Sequence, residues 1–96
     1  MKSEIFNNYL DNITRLYSIP REWILSKNKK REVVDARHML YYMCFNRNIS
    51  IGYIQRYMDN NGYAIGHSSI IHGVKSIETK VKEDADYKQL IKNLEK

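Results

Sequence analysis

A single proline, Pro20, stands in 96 residues, and only four glycines accompany it. A chain so poor in breakers can hold long helices, but not the many turns that a set of short strands requires. The apolar residues agree, because they recur at spacings of three and four, the period that gathers one stripe on a helix. In the first segment, from about Ser3 to Tyr17, the stripe is Ile5, Phe6, Tyr9, Leu10, Ile13, Leu16 and Tyr17. Pro20 suits the first turn of a short second helix carrying Trp23, Ile24 and Leu25, since its missing N–H is not needed there. A polar, basic run over residues 26–31 then leads into a third helix, from about Lys30 to Asn46. Val33, Ala36, Arg37, Leu40, Met43 and Cys44 share one side of it.

Ser50 is placed to cap a fourth helix, whose stripe is Ile51, Ile54, Tyr57 and Met58. Residues 59–66 (DNNGYAIG) break it with the residue types that tolerate a left-handed backbone. A fifth helix begins near Gly66 or His67 and runs to about Lys82, with Ile70, Val74, Ile77 and Val81 inward. A sixth spans about Ala85 to Leu94, with Asp84 and Asp86 as capping charges at its start. The expected fold is therefore all-α: one domain over residues 1–96, a compact bundle of five to six helices containing a helix-turn-helix.

Charge narrows the partners. Sixteen Lys and Arg against eleven Asp and Glu give +5, which suits a polyanion such as DNA, RNA or an anionic membrane surface. No apolar run approaches the roughly 18 residues of a membrane span. The N-terminal MKSEIFNNYLDN is too polar and acidic for a signal peptide. Cys44 is the only cysteine, so neither an internal disulfide nor a Cys-rich zinc site can form, and Cys44 reads as a small core residue. A cytoplasmic protein without membrane contact or cofactor is expected.

The chemistry gathers in two places. Helices four and five, joined by a glycine-containing turn, have the outline of a helix-turn-helix, in which the second helix enters the major groove and reads bases with its first residues. Those residues are His67, Ser68 and Ser69; the core stripe begins only at Ile70. Their side chains donate and accept hydrogen bonds, and the first-turn amides favour a phosphate. The alternative is an ordinary serine-rich cap. Lys27, Lys29, Lys30 and Arg31, with Arg37 further along, form the second group, suited to phosphates or a narrow minor groove; its alternative is a solvated loop.

Catalysis finds little support. His67 and His72 are five apart, ~140° around a helix, which is unlike a His-x-x-x-His metal pair, and no nucleophile has a neighbouring base. Eight tyrosines, five of them (Tyr41, Tyr42, Tyr53, Tyr57, Tyr63) around helices three to five, leave open a module that binds a replication or transcription protein.

Two stretches carry a family resemblance. IxSKxKKRxVVxARHMxYYM, from Ile24 to Met43, and GHSSIIHG, from Gly66 to Gly73, resemble the C-terminal DNA-binding domain of the bacterial replication initiator family DnaA, of the TrpR-like helix-turn-helix superfamily. The resemblance covers about residues 13–94. It implies double-stranded DNA as partner, in replication initiation or its regulation, by a monomer on DNA. By position, Arg31 matches an arginine that enters the minor groove and Arg37 one near phosphates and base edges. His38 replaces a glutamine beside it, Lys27 matches the basic loop, and His67, Ser68 and Ser69 match the signature that reads the major groove. The family's Gly-Gly-Arg-Asp before that histidine is here Tyr63, Ala64, Ile65 and Gly66, so residues that help set base choice differ. No phosphate-loop motif of an ATPase module occurs. A stand-alone relative, of phage or mobile-element origin, is the expectation.

Overall fold

The computed structural model describes residues 2–95. Six helices follow one another: α1 (Lys2–Tyr17), α2 (Arg21–Ile24), α3 (Arg31–Asn46), α4 (Ile51–Asn60), α5 (His67–Glu83) and α6 (Ala85–Leu94). No strand occurs among the described residues. The all-α bundle expected from the period is the observed fold, with helix ends within a residue or so of their expected positions.

The long third helix is the spine because it is apolar on two sides. The stripe read from its sequence is buried, and Met39 and Tyr41 are buried as well. α5 and α1 supply the two covers, packing on α3 more extensively than any other pair of helices packs together. Phe6, Leu10 and Ile13 of α1, and Ile70 and Ile77 of α5, meet it in one continuous core. Cys44 lies inside, and burial pushes its thiol up to about 12, so it stays protonated at neutral pH.

Local chemistry ends each helix. Asn48 (φ 65°) turns the chain out of α3 through the left-handed region. Its amide donates to the Phe45 carbonyl and the next amide, of Ile49, donates to the Cys44 carbonyl, which satisfies two orphan carbonyls and buries Ile49. The Ser50 side chain accepts from the Tyr53 amide at the start of α4, and Asp84 accepts from Asp86 at the start of α6. Both caps are where the sequence placed them.

Two expectations change. Pro20 is the N-cap of α2 rather than its first helical residue. Leu16, read as part of the apolar stripe of α1, is 44% exposed, and Trp23 is 38% exposed. α1's last turn runs past the core, and in a helix of four residues only Ile24 can point inward while its neighbour Trp23 faces away.

Gly73 sets how closely α5 approaches α3. A Cβ there would lie 2.8 Å from His38 Cδ2 and 2.9 Å from Tyr41 Cδ2, closer than real Cβ contacts come. Gly73→Ala should therefore cost about 1–3 kcal/mol of stability as strain, despite the better helix propensity of alanine. Urea denaturation of the variant checks this; unchanged stability would mean that the two helices can separate freely.

Candidate nucleic-acid interface

The turn between α4 and α5 is built by hydrogen bonds of the same kind as those that end α3. Gly62 takes φ 91°, a conformation that side chains rarely adopt. Its amide donates to the Asp59 carbonyl and that of Tyr63 to the Met58 carbonyl. Gln55 of α4 then reaches across and donates to the Ile65 carbonyl at 2.8 Å. The six residues 61–66 are thus held from within, and α5 starts at a fixed point.

At that point Gly66 is the N-cap and offers no side chain to the first-turn amides. His67, Ser68 and Ser69 are all exposed, and the first buried residue is Ile70. The first turn of α5 therefore shows water two hydroxyls, an imidazole and the positive end of the helix dipole. Ile71 belongs with them: it is 40% exposed, one of the large apolar side chains left outside the core. Sequence reading passed over it. The signal was there, because the inward set 70, 74, 77 and 81 leaves position 71 off the stripe.

Lys27, Lys29, Lys30 and Arg31 are exposed on the loop between α2 and α3 and at the start of α3. Arg37 is what holds this loop. It is only 6% exposed. Its Nε donates to the Ile24 carbonyl at 2.8 Å, and Nη2 lies within bonding distance of the Trp23, Ser26 and Asn28 carbonyls. The guanidinium also sits 5.0 Å from the Tyr63 ring centroid, and so joins the basic loop to the turn that launches α5. A buried cation needs such a set of acceptors to offset its lost hydration. This separates Arg37 from the other expected contact residues, because its charge is directed at backbone carbonyls and not presented at the surface.

His38 is half-buried on the α3 side, its ring edge-on to His72 at 5.7 Å. Burial, and next the nearby His72, hold its pKa below the usual histidine value, so His38 is neutral at pH 7. Arg37, His38, Tyr41, Tyr63, Ser68, Ser69 and His72 line one shallow cleft of ≈ 350 Å³. Of the nine residues picked from the sequence, the cleft brings together Arg37, His38, Ser68 and Ser69, while Lys27, Lys29, Lys30, Arg31 and His67 do not line it. Lys80 of α5 and Asp35 of α3 form an ion pair at 3.2 Å further along the same junction.

The tyrosines do not form one exposed face. Tyr41 is buried, Tyr63 lies under Arg37, and Tyr57 packs on Phe6 at 5.2 Å. Among the described residues no cluster of three His, Cys, Asp or Glu could hold a metal, and no helix is long and apolar enough to cross a membrane.

No family model matches the chain. Chromosomal replication initiator protein DnaA 1 of Chlamydia pneumoniae is 27% identical over 74 residues, covering 77% of this chain and 15% of the relative. DnaA of Mycoplasma genitalium is 26% identical over 92 residues, 93% of this chain and 20% of the relative. DnaA of Flavobacterium psychrophilum is 25% identical over 100 positions, covering the whole of this chain and 20% of the relative. The chain is similar to DnaA. It spans 15–20% of the length of these initiators, so the similarity concerns a part of DnaA the size of one small domain.

Proposed function

We propose that this DnaA-like domain binds double-stranded DNA with sequence preference, placing the first turn of α5 in the major groove while the loop of Lys27, Lys29, Lys30 and Arg31 meets phosphates beside it. The observation that carries this reading is the Arg37 arrangement, which fixes a four-cation loop and an uncapped, exposed helix start to one rigid body. Major-groove reading needs a helix whose first residues are free and whose orientation is set by a core. Affinity needs cations held at a defined place next to it. The similarity to chromosomal replication initiator proteins supports a role in replication initiation or its regulation. α4 and α5 then act as a helix-turn-helix, and Arg37 acts as a positioning residue.

Within this reading, His67, Ser68 and Ser69 offer hydrogen bonds to base edges and phosphates. Ile71 offers an apolar contact, which in the major groove means the methyl group of thymine. The test is anisotropy binding to a random duplex pool at two salt concentrations, with sequencing of the bound fraction. Steep salt dependence and an enriched short motif are expected; no binding at low salt would end the proposal. Ser69→Ala and Ile71→Ala should each change the enriched motif at one or two positions, by about 1–3 kcal/mol per lost contact. Deoxyuridine in place of thymine should mimic Ile71→Ala. Motifs identical to the parent's would remove these residues from the reading set.

A further inference from the structure

The first turn of α5 does not absorb one conspicuous feature, the indole of Trp23. It is 38% exposed although tryptophan is the largest apolar side chain in the sequence. It is also the only tryptophan, and it lies on α2 next to the basic loop. Its backbone is fixed on two sides. The Trp23 amide donates to the Pro20 carbonyl at 3.0 Å, and its carbonyl accepts from Arg37 Nη2 and from the Ser26 hydroxyl. The indole therefore stands on a rigid base, so holding it in place for a ligand costs little further entropy. Lys30 places its ammonium 4.8 Å from the ring centroid. Lys27, Lys29 and Arg31 are exposed nearby in sequence, against Glu22 and Glu32 as the adjacent acids.

An exposed, anchored aromatic ring beside a run of cations is the combination that binds unpaired nucleic acid. A base stacks on the ring through its own flat face, and the phosphates on either side meet the cations. Away from its ends a duplex offers no free base face, whereas a single strand does along its length. We propose that Trp23, with Lys27, Lys29, Lys30 and Arg31, forms a binding site for single-stranded DNA. A base stacks on the indole in place of the Lys30 ammonium, and the displaced ammonium meets the adjoining phosphate. Stacking exceeds a cation–ring contact at an exposed site, so the exchange is favourable. The site shares its cations with the proposed duplex contact but adds the indole, and the stacking stands whether or not the chain prefers a duplex sequence.

The experiment uses the full chain and the fluorescence of its single indole. Oligo(dT) is titrated at fixed moderate salt, with emission and the anisotropy of an end-labelled strand followed together. Emission should fall as the strand binds. A blunt duplex of equal length should bind with little change in emission. Trp23→Ala should weaken oligo(dT) binding roughly tenfold, the loss of one stacked base, while Trp23→Phe retains most of the affinity. Unchanged emission on binding of oligo(dT) overturns the proposal, since the strand is then held by charge alone. Equal quenching by the duplex also overturns it, because the indole then lies against paired DNA. Failure to bind oligo(dT) does the same. The emission arm needs no variant, so it decides even if Trp23→Ala folds poorly. Loss of duplex binding with oligo(dT) quenching retained would end the major-groove reading and leave this site standing.

Discussion

Replacing Arg37 with methionine should lower the stability of this domain by about 3 kcal/mol, the scale of losing charge-assisted hydrogen bonds in a buried site. Methionine keeps the aliphatic stem and most of the packing. It removes the guanidinium that serves the carbonyls of Trp23, Ile24, Ser26 and Asn28. Those acceptors then lack a partner wherever water cannot reach. A chain of this length has on the order of 5–15 kcal/mol in total, so the loss is a large share of it. Arg37→Lys should recover only part, because one ammonium cannot span acceptors arranged around a planar fork. A shift of the urea midpoint with an unchanged slope would measure the cost. The same variants should bind DNA more weakly even where they remain folded, because the loop loses its anchor. A methionine variant as stable as the parent would show that the carbonyls find water unaided, and Arg37 would lose its positioning role.

The second large effect is expected from charge. Changing Lys27, Lys29, Lys30 and Arg31 together to glutamine should lower duplex affinity by more than about a hundredfold at moderate salt. It should also flatten the plot of log affinity against log salt by about three to four units, since each phosphate contact releases close to one counterion. All four side chains are exposed and none is in the core, so stability should stay within about 1 kcal/mol of the parent. The enriched sequence motif should survive, apart from any minor-groove preference carried by Arg31. A salt slope equal to the parent's would mean that this loop does not meet phosphates.

Much of this architecture was legible because helices write themselves into a sequence at a fixed period. Pro20, Ser50, Gly62 and Asp84 punctuate the chain where the backbone turns or is capped, so element order followed directly and element number to within one. Arg37 shows where reading stopped. It falls in the apolar stripe of α3 between Ala36 and Leu40, which announces a buried cation. The sequence cannot say which acceptors surround it, because they come from α2 and the loop that follows, brought in by tertiary folding. The family resemblance placed Arg37 near DNA, and the structure places its charge on the loop's own backbone. Leu16 failed for another reason. Period states which side of a helix is apolar, but not how far along the helix the partner surface extends. Ile71 was readable as an apolar residue off the stripe, yet a neighbour as apolar as Ile70 hid it.

The tight seam at Gly73 has a consequence for how such a domain could acquire new targets. α5 lies close against His38 and Tyr41 there, with no room for a side chain at position 73. One edge of the helix, Ile70, Gly73, Val74 and Ile77, is committed to keeping it in place. The other, His67, Ser68, Ser69 and Ile71, is unconstrained by the fold. The two are interleaved in sequence but independent in space. On the proposed major-groove reading, retargeting, by drift or by a laboratory library, amounts to rewriting the free letters of one helix while the fixed letters hold the page still.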